Sequence, residues 1–287
     1  MAPTFIQTNS ASATTTALSV AFPSSNAIDN FLVAVLRLPF GSGAAYTVFD
    51  SQGNNWVNLL NFAQTTDRFQ LWYAPGCKAG GNTVTAQAVP QVSTFFRMII
   101  AEYSGVVSQS QLISDGSQNQ IGTGTDPVAV SSGTLTTGNA TDLLIGFTAN
   151  QDHDSETFTP TSGFTFRRNQ DGNLQLYDLN TSVTGTFSFT GTDSGNTGAT
   201  IHWGAGIAAF KASSGGFTYE GYGINDCGGV ALPAQEPSST SFATQTNAIN
   251  QLTSSGGRGP TNTGVFYQSG GGGTTPGTGQ IFPSGRS

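Results

Sequence analysis

Short apolar runs alternate with polar residues along the first 212 positions of the chain. In TGTFSFTG (184–191), Phe187 and Phe189 fall on one face of an extended strand, and the intervening threonines and serine fall on the other. Such alternation indicates antiparallel strands with one buried face. Ten similar runs, bounded by Gly, Asn, Asp or Pro, are ALSVAF (17–22), FLVAVLRL (31–38), YTVFD (46–50), FQLWYA (69–74), NTVTAQAV (82–89), FRMIIAEYSG (96–105), DLLIGFTA (142–149), GFTFRR (163–168), LQLYDLN (174–180) and HWGAGIAAFKA (202–212).

This pattern predicts an all-β fold. We expect residues 1–212 to form one domain, an antiparallel two-sheet β-sandwich resembling a jelly roll. No internal sequence repeat of useful length is apparent within it.

The sequence changes character after Ala212. Residues 213–287 are rich in Gly, Ser, Thr and Pro, and they end in YQSGGGGTTPGTGQIFPSGRS. We predict an extended, mostly irregular C-terminal arm here, with one short helix near 239–253 that would follow Pro237.

The composition of the arm bears on what it binds. Fixing about 75 residues at roughly 1–2 kcal/mol each costs on the order of 100 kcal/mol. The arm has too few large apolar side chains to offset this by folding on itself. An ordered arm must therefore lie along its own sandwich, sister copies or another partner; the alternative is a disordered tail. The expected anchors are Phe217, Tyr219, Tyr222, Phe242, Ile249, Leu252, Phe266, Tyr267, Ile281 and Phe282.

The charge content excludes several classes of partner. Charged residues make up 9% of the chain, against roughly 25% in ordinary soluble domains, and the net charge is −7. This balance argues against nucleic acid and against anionic membrane surfaces. A surface of hydroxyls and amides repels its neighbours weakly, so it suits a protein that packs beside copies of itself. The longest apolar run, FLVAVLRLPF, is interrupted by Arg37 and is too short to span a membrane.

The two cysteines lie far apart in glycine-rich stretches, Cys77 in APGCKAGG and Cys227 in NDCGGV. Their spacing matches no zinc pattern. Two free thiols are the favoured interpretation. The alternative is a disulfide that would staple the arm to the sandwich.

Enzymatic motifs are not found. The chain has no G-x-S-x-G elbow, P-loop, dinucleotide fingerprint or H-E-x-x-H sequence. Glu102 is the only glutamate within a strong strand, and we interpret it as a structural carboxylate bonded to a hydroxyl or to an arginine such as Arg97. We therefore expect no enzymatic activity.

Two further patterns concern ligands. Asp152, Asp154 and Glu156 would share one side of an extended segment and could offer oxygens to Ca²⁺, although a solvated acidic loop is favoured and no cofactor is expected. Trp56 follows the polar turn DSQGNN. If exposed beside Asn54 and Asn55, it would form a platform on which sugar rings stack.

Several motifs occur in a distinctive order. DSQGNNW, LWYAPGCKAGGNTVT and IIAEYSGV follow FLVAVLRL and precede DLLIGF, SGFTF and GIAAFKA. This order resembles a widespread group of bacterial and phage-encoded β-sandwich modules of surface, secreted and virion-associated proteins. The resemblance spans about residues 4–212 and leaves the arm outside. The resemblance implies a β-sandwich fold and a location at a cell surface, outside the cell or in a virion, and it supplies no set of enzymatic residues.

Together these observations predict a non-enzymatic structural protein of an extracellular assembly. The best fit is a phage virion component, such as a capsid decoration, tail or fibre protein, whose arm binds neighbouring subunits. Its partners would be copies of itself or other structural subunits of a particle or filament, and its location the virion or an extracellular or cell surface. The alternative function is a carbohydrate-binding or adhesin module on a cell or particle surface.

Overall fold

The structure, a computed structural model, describes residues 2–39, 44–108, 113–150, 157–195 and 197–213. These residues form sixteen β-strands and no helix. The first eight strands are Thr4–Thr15 (β1), Ala17–Ala21 (β2), Phe31–Pro39 (β3), Ala45–Asp50 (β4), Val57–Gln64 (β5), Asp67–Ala74 (β6), Thr83–Val89 (β7) and Thr94–Ser104 (β8). The second eight are Ser114–Thr125 (β9), Val128–Thr137 (β10), Asp142–Asn150 (β11), Thr157–Pro160 (β12), Thr165–Gln170 (β13), Leu174–Asn180 (β14), Gly185–Ser194 (β15) and Thr200–Lys211 (β16).

The strands form four antiparallel sheets. The first inner sheet has the order β1-β8-β3-β6-β5, and the first outer sheet has the order β2-β7-β4. The second inner sheet is β13-β14-β11-β16-β9, and the second outer sheet is β10-β15-β12. Pairing of the first strand with the eighth, the second with the seventh and the third with the sixth is the nested order of a jelly roll. The predicted all-β, antiparallel sandwich architecture is confirmed.

The same topology occurs twice. Adding eight to each strand number of the first pair of sheets reproduces the strand order of the second pair. The chain therefore contains a first sandwich, residues 4–104, and a second sandwich, residues 114–211. A duplicated sandwich was not expected from the sequence pattern.

Strand register identifies equivalent positions in the two sandwiches. Phe31 lies opposite Tyr103 in the β3–β8 pair, and Leu143 lies opposite Phe210 in the β11–β16 pair. Two β-bulges also recur. The first is formed by Ile6 in β1 and by its counterpart Asp115 in β9, each an unpaired extra residue in its ladder. The second is formed by Leu59 in β5 and by its counterpart Arg167 in β13.

Three apolar layers hold the sheets together. A first layer lies between the first outer and inner sheets and a third between the second pair, while the middle layer joins the two inner sheets. Both faces of β3 and β11 are therefore buried, which explains why FLVAVLRL and DLLIGF are almost continuously apolar. The middle layer includes Phe31, Val33, Val35, Phe69, Leu71, Tyr103, Leu143, Ile145, Phe147, Leu176 and Phe210.

The two sandwiches pack with approximate two-fold symmetry. Strand β1 lies beside β13, where Arg168 Nε donates to Ser10 Oγ over 2.8 Å. Strand β5 lies beside β9, where Gln64 Nε2 donates to the Gly122 carbonyl over 3.0 Å. Because β13 is the counterpart of β5 and β9 that of β1, the two contacts are equivalent, as in an isologous dimer.

Candidate functional site

The DSQGNNW motif folds into a turn around a buried carboxylate. Asp50, at the end of β4, accepts hydrogen bonds from the Asn54 backbone N–H (3.0 Å) and side chain (2.8 Å). It also accepts from Trp56 Nε1 (2.9 Å) and Asn82 Nδ2 (3.1 Å). Burial raises the pKa of Asp50, but these hydrogen bonds outweigh burial and hold the pKa below its ordinary value.

This turn uses two of the three predicted glycan contacts for internal bonds. Asn54 Oδ1 accepts from the Lys78 backbone N–H over 2.9 Å, so both ends of the Asn54 amide face the protein. The indole N–H of Trp56 is held by Asp50, and its ring is partly buried against the first apolar layer. Of the predicted group, Asn55 alone is exposed.

The glutamate of the IIAEYSGV motif forms a second buried network. Glu102 is fully buried, and its carboxylate accepts from Asn26 Nδ2 (2.8 Å) and Asn30 Nδ2 (2.7 Å). It also accepts from the Gln7 side chain and from the Ala27 backbone N–H (3.0 Å). Three of these four donors lie between β2 and β3 and tie that segment to β8, and the fourth, Gln7, lies in β1.

Glu102 does not bond to Arg97, which corrects the expectation of an arginine or hydroxyl partner. The two residues are separated by an odd number of positions in one strand, so their side chains point to opposite faces. Arg97 Nε instead lies 3.5 Å from the Asp171 carboxylate, and its guanidinium lies 4.4 Å from the centre of the Phe95 ring.

Cys77 lies close to the Glu102 network, because both residues form a hydrogen bond with the Ala27 backbone. It is fully buried and pairs with no described cysteine, and its Sγ donates to the Ala27 carbonyl over 3.1 Å. Burial, reinforced by the negative charge of Glu102, raises the pKa of Cys77 to about 12. Cys227 lies outside the described residues, so neither the favoured pair of free thiols nor the alternative Cys77–Cys227 disulfide is tested.

A row of aromatic and amide side chains runs along β5 and β6. The first outer sheet has two strands fewer than the inner sheet and is therefore narrower by about 10 Å. Its strand β2 contacts β1 and β8 at the opposite edge, so no strand of the described residues covers β5 and β6 on the side of the outer sheet. In the β5–β6 ladder, Asn58 lies opposite Trp72 and Asn61 lies opposite Gln70. Trp56 precedes β5 and packs against the same apolar layer as Trp72. We call Trp56, Asn58, Asn61, Gln70 and Trp72 the aromatic–amide strip.

Hydrogen bonds within the strip fix its side chains. Trp72 Nε1 donates to Gln70 Oε1 over 2.9 Å, and Gln70 Nε2 donates to Asn61 Oδ1 over 3.3 Å. Gln70 is buried, Trp56, Asn58 and Trp72 are partly exposed, and Asn61 is exposed. The polar turn before Trp56 indicates exposure of that residue, but no sequence pattern indicates the exposure of Trp72. The missing information was the position of β5 and β6 at the edge of a wider sheet.

The second sandwich carries a counterpart of this strip. By register, Phe166, Asn169, Gln175 and Tyr177 occupy the positions of Asn58, Asn61, Gln70 and Trp72. Tyr177 donates its hydroxyl to Gln175 Oε1 over 2.7 Å, as Trp72 does to Gln70. Tyr177 is buried, whereas Phe166 is 53% exposed and its ring centre lies 5.5 Å from that of Tyr177.

A pair of carboxylates lies in the second sandwich. Asp142, at the start of β11, is fully buried close to Asp115. Asp115 accepts from the Gly138 (2.6 Å) and Asn139 (2.8 Å) backbone N–H groups, and Lys211 Nζ lies 3.9 Å from its Oδ1. Burial, together with the Asp115 carboxylate, raises the pKa of Asp142 to about 6.

The solvent faces of both outer sheets carry no charged residue in their described strands. Hydroxyls dominate the second outer sheet, and a mixture of hydroxyls, alanines and isolated apolar residues covers the first. The outward residues of the second outer sheet are Ala129, Ser131, Thr134, Thr136, Thr157, Thr159, Thr186, Ser188, Thr190, Thr192 and Ser194. Those of the first are Ala17, Ser19, Ala21, Ala45, Thr47, Phe49, Thr83, Thr85, Gln87 and Val89.

Other predicted sites lie beyond the described chain. The calcium candidates Asp152, Asp154 and Glu156 and every anchor of the arm fall outside it. Within the described ranges, no group of three or more His, Cys, Asp or Glu side chains is arranged to hold a metal ion. The same ranges contain no helix able to cross a membrane.

Comparison with known proteins gives no assignment. No family model, no curated protein and no solved structure matches the chain. The resemblance to bacterial and phage β-sandwich modules therefore depends on the motif residues alone.

Proposed function

We propose that this protein is a non-enzymatic structural subunit of an extracellular assembly, specifically a component of a phage virion. The observation that carries the proposal is the pair of uncharged outer faces, one on each sandwich. Uncharged faces present no like charges to a neighbouring copy, so contacts made through them should depend little on ionic strength.

The buried polar groups are consistent with this role. Asp50 and Glu102 each accept four hydrogen bonds, all but one of which join loops to strands, so both are occupied in holding the fold. The doubled sandwich with three apolar layers provides a packed body from which the arm, residues 213–287, would reach neighbouring subunits.

Deletion of the arm tests the proposal. A chain ending at residue 213 should remain a folded, soluble monomer in analytical ultracentrifugation, whereas the full chain should join its assembly. Normal assembly of the truncated chain would contradict the role of the arm.

Charged substitutions test the outer faces separately. Thr190→Arg and Thr85→Lys each place one charge on an outer face, and in the full chain they should weaken assembly without lowering thermal stability. A matched control is Val183→Lys, because Val183 is 60% exposed and precedes β15 rather than lying in the sheet. Equal assembly of all three variants would show that the outer faces are not contacts.

A further inference from the structure

We propose that the aromatic–amide strip of the first sandwich binds a neutral polysaccharide. This inference concerns a ligand site and is independent of the assembly role. It rests on the position, orientation and charge of Trp56, Asn58, Asn61, Gln70 and Trp72.

The two tryptophans offer apolar surface in a fixed orientation. Each indole N–H is tethered, that of Trp56 to Asp50 and that of Trp72 to Gln70, both over 2.9 Å. The tethers leave the rings little rotational freedom, and both remain partly exposed. Because little side-chain entropy remains to be lost, apolar faces of sugar rings would stack on these indoles at low cost.

The amides supply polar groups beside the rings. Asn58 Nδ2 donates to the Leu60 carbonyl over 3.2 Å, which leaves its Oδ1 as an acceptor without a partner in the described chain. Asn61 Oδ1 accepts from Gln70, and its Nδ2 donates to no described group. One acceptor and one donor therefore stand beside aromatic surface, and a sugar hydroxyl can pair with both kinds of group.

Length and charge favour a neutral polymer. From Trp56 to Asn61 the strip extends about 15 Å along the strand, which is longer than one sugar ring. None of its five side chains is charged, and the net charge of the protein is −7. An acidic polysaccharide would meet repulsion without a compensating cation in the strip, whereas a neutral polymer would not.

The counterpart in the second sandwich serves as an internal comparison. It retains the glutamine and asparagine positions, but Phe166 replaces Asn58 and Tyr177 is buried. The second strip therefore lacks both the exposed indole and the free amide acceptor. We expect it to contribute little to binding.

The test uses the full chain in affinity electrophoresis and titration calorimetry. The neutral probes are xylan, glucomannan, galactomannan and dextran, and the acidic probes are polygalacturonate and alginate. At least one neutral polymer should bind, and the acidic polymers should not.

Two variants test the tryptophans. Trp72→Ala and Trp56→Ala should each weaken binding of that polymer about tenfold or more. Phe49→Ala is the matched control, because Phe49 is 45% exposed but lies on the outer face of the first outer sheet.

A third variant separates binding from folding. Asn61 is exposed and outside the apolar layers, and Asn61→Asp keeps the oxygen that accepts from the buried Gln70 while it removes the Nδ2 donor. This variant should therefore keep the thermal unfolding midpoint and weaken binding several-fold. Failure of every neutral probe to bind, unchanged binding by Asn61→Asp, or an equal loss in Phe49→Ala would overturn the proposal. Truncation at residue 213 should leave binding intact, so failure of the assembly role would be seen independently.

Discussion

Glu102 and Ala209 occupy the same position in the two sandwiches. Glu102 lies opposite Leu32 in the β3–β8 pair, and Ala209 lies opposite Leu144 in the equivalent β11–β16 pair. One is a buried carboxylate with four donors, and the other is a methyl group in the third apolar layer. The jelly roll itself therefore does not require a carboxylate here. The carboxylate is specific to the loop that the first sandwich holds between β2 and β3.

Replacing Glu102 by alanine should destabilise the protein by about 3 kcal/mol or more, because the buried side-chain donors of Asn26 and Asn30 lose their acceptor. Urea unfolding followed by tryptophan fluorescence would measure this change. Gln7→Ala removes one donor to Glu102 and three hydrogen bonds with Ser24, but it leaves the carboxylate three donors and should cost less. An unfolding midpoint for Glu102→Ala equal to that of the unmodified chain would contradict this account of the network.

The strands that the apolar pattern predicts and those that it does not predict differ in their place in the sheets. The eleven predicted runs correspond to eleven observed strands, and all of the central strands are among them. The five missed strands, β1, β5, β9, β10 and β12, are all sheet edges. Edge strands have one paired side and more exposed side chains, so polar sequences such as SDGSQNQIGTGT (β9) lack the apolar alternation on which the prediction depended.

The candidate site was predictable only in part, for a related reason. The sequence indicates that tryptophans and amides are close along the chain, but it does not show how wide each sheet is. FQLWYA and LQLYDLN do share a glutamine two residues before an aromatic residue. The rest of the repeat is hidden because the two sandwiches conserve apolar character and register rather than residue identity, as Phe31 with Leu143 and Tyr103 with Phe210 illustrate.

Asp142 should make stability depend on pH between about 4 and 6. Its pKa is raised to about 6 in the folded protein from an ordinary value near 3.8, so in this window the folded state retains a proton that the unfolded state has lost. Stability must therefore fall as the pH rises through the window. Asp142→Asn should remove this dependence and stabilise the protein at pH 7.5 by roughly 1–3 kcal/mol. Urea unfolding at pH 4.5 and 7.5 would measure both effects.

Asp171→Asn is the control for this experiment. Burial raises the pKa of Asp171, but hydrogen bonds from Ser12 and Gln170 and the charge of Arg97 lower it below its ordinary value overall. Its contribution to stability is therefore present above pH 4 and is lost only in stronger acid. This variant should keep the difference between pH 4.5 and 7.5. An identical difference in Asp142→Asn would contradict the assignment to Asp142.

Cys77 should resist thiol reagents in the folded protein. Its side chain is fully buried and its pKa is raised to about 12, so little thiolate forms near pH 8 and reagents cannot reach it. In a Cys227→Ser chain, native labelling should be about 100-fold slower or more than labelling in urea. Absence of any free thiol in the unmodified chain, unfolded without reductant, would instead establish the Cys77–Cys227 disulfide.

Gly204 should be a sensitive point of the contact between the sandwiches. A side-chain carbon at this position of β16 would overlap the ring of Phe69, which reaches across the middle layer from β6. Gly204→Ala should therefore cost about 1–3 kcal/mol. Gly185→Ala is the matched control, because the atom nearest to the added methyl group, a ring atom of Phe187, would lie at an ordinary 3.8 Å.

A double-mutant cycle with Phe69→Leu, measured by urea unfolding, should recover part of the stability lost in Gly204→Ala, since the smaller side chain makes room for the added methyl group. Additive losses would show that the two inner sheets do not meet at this pair.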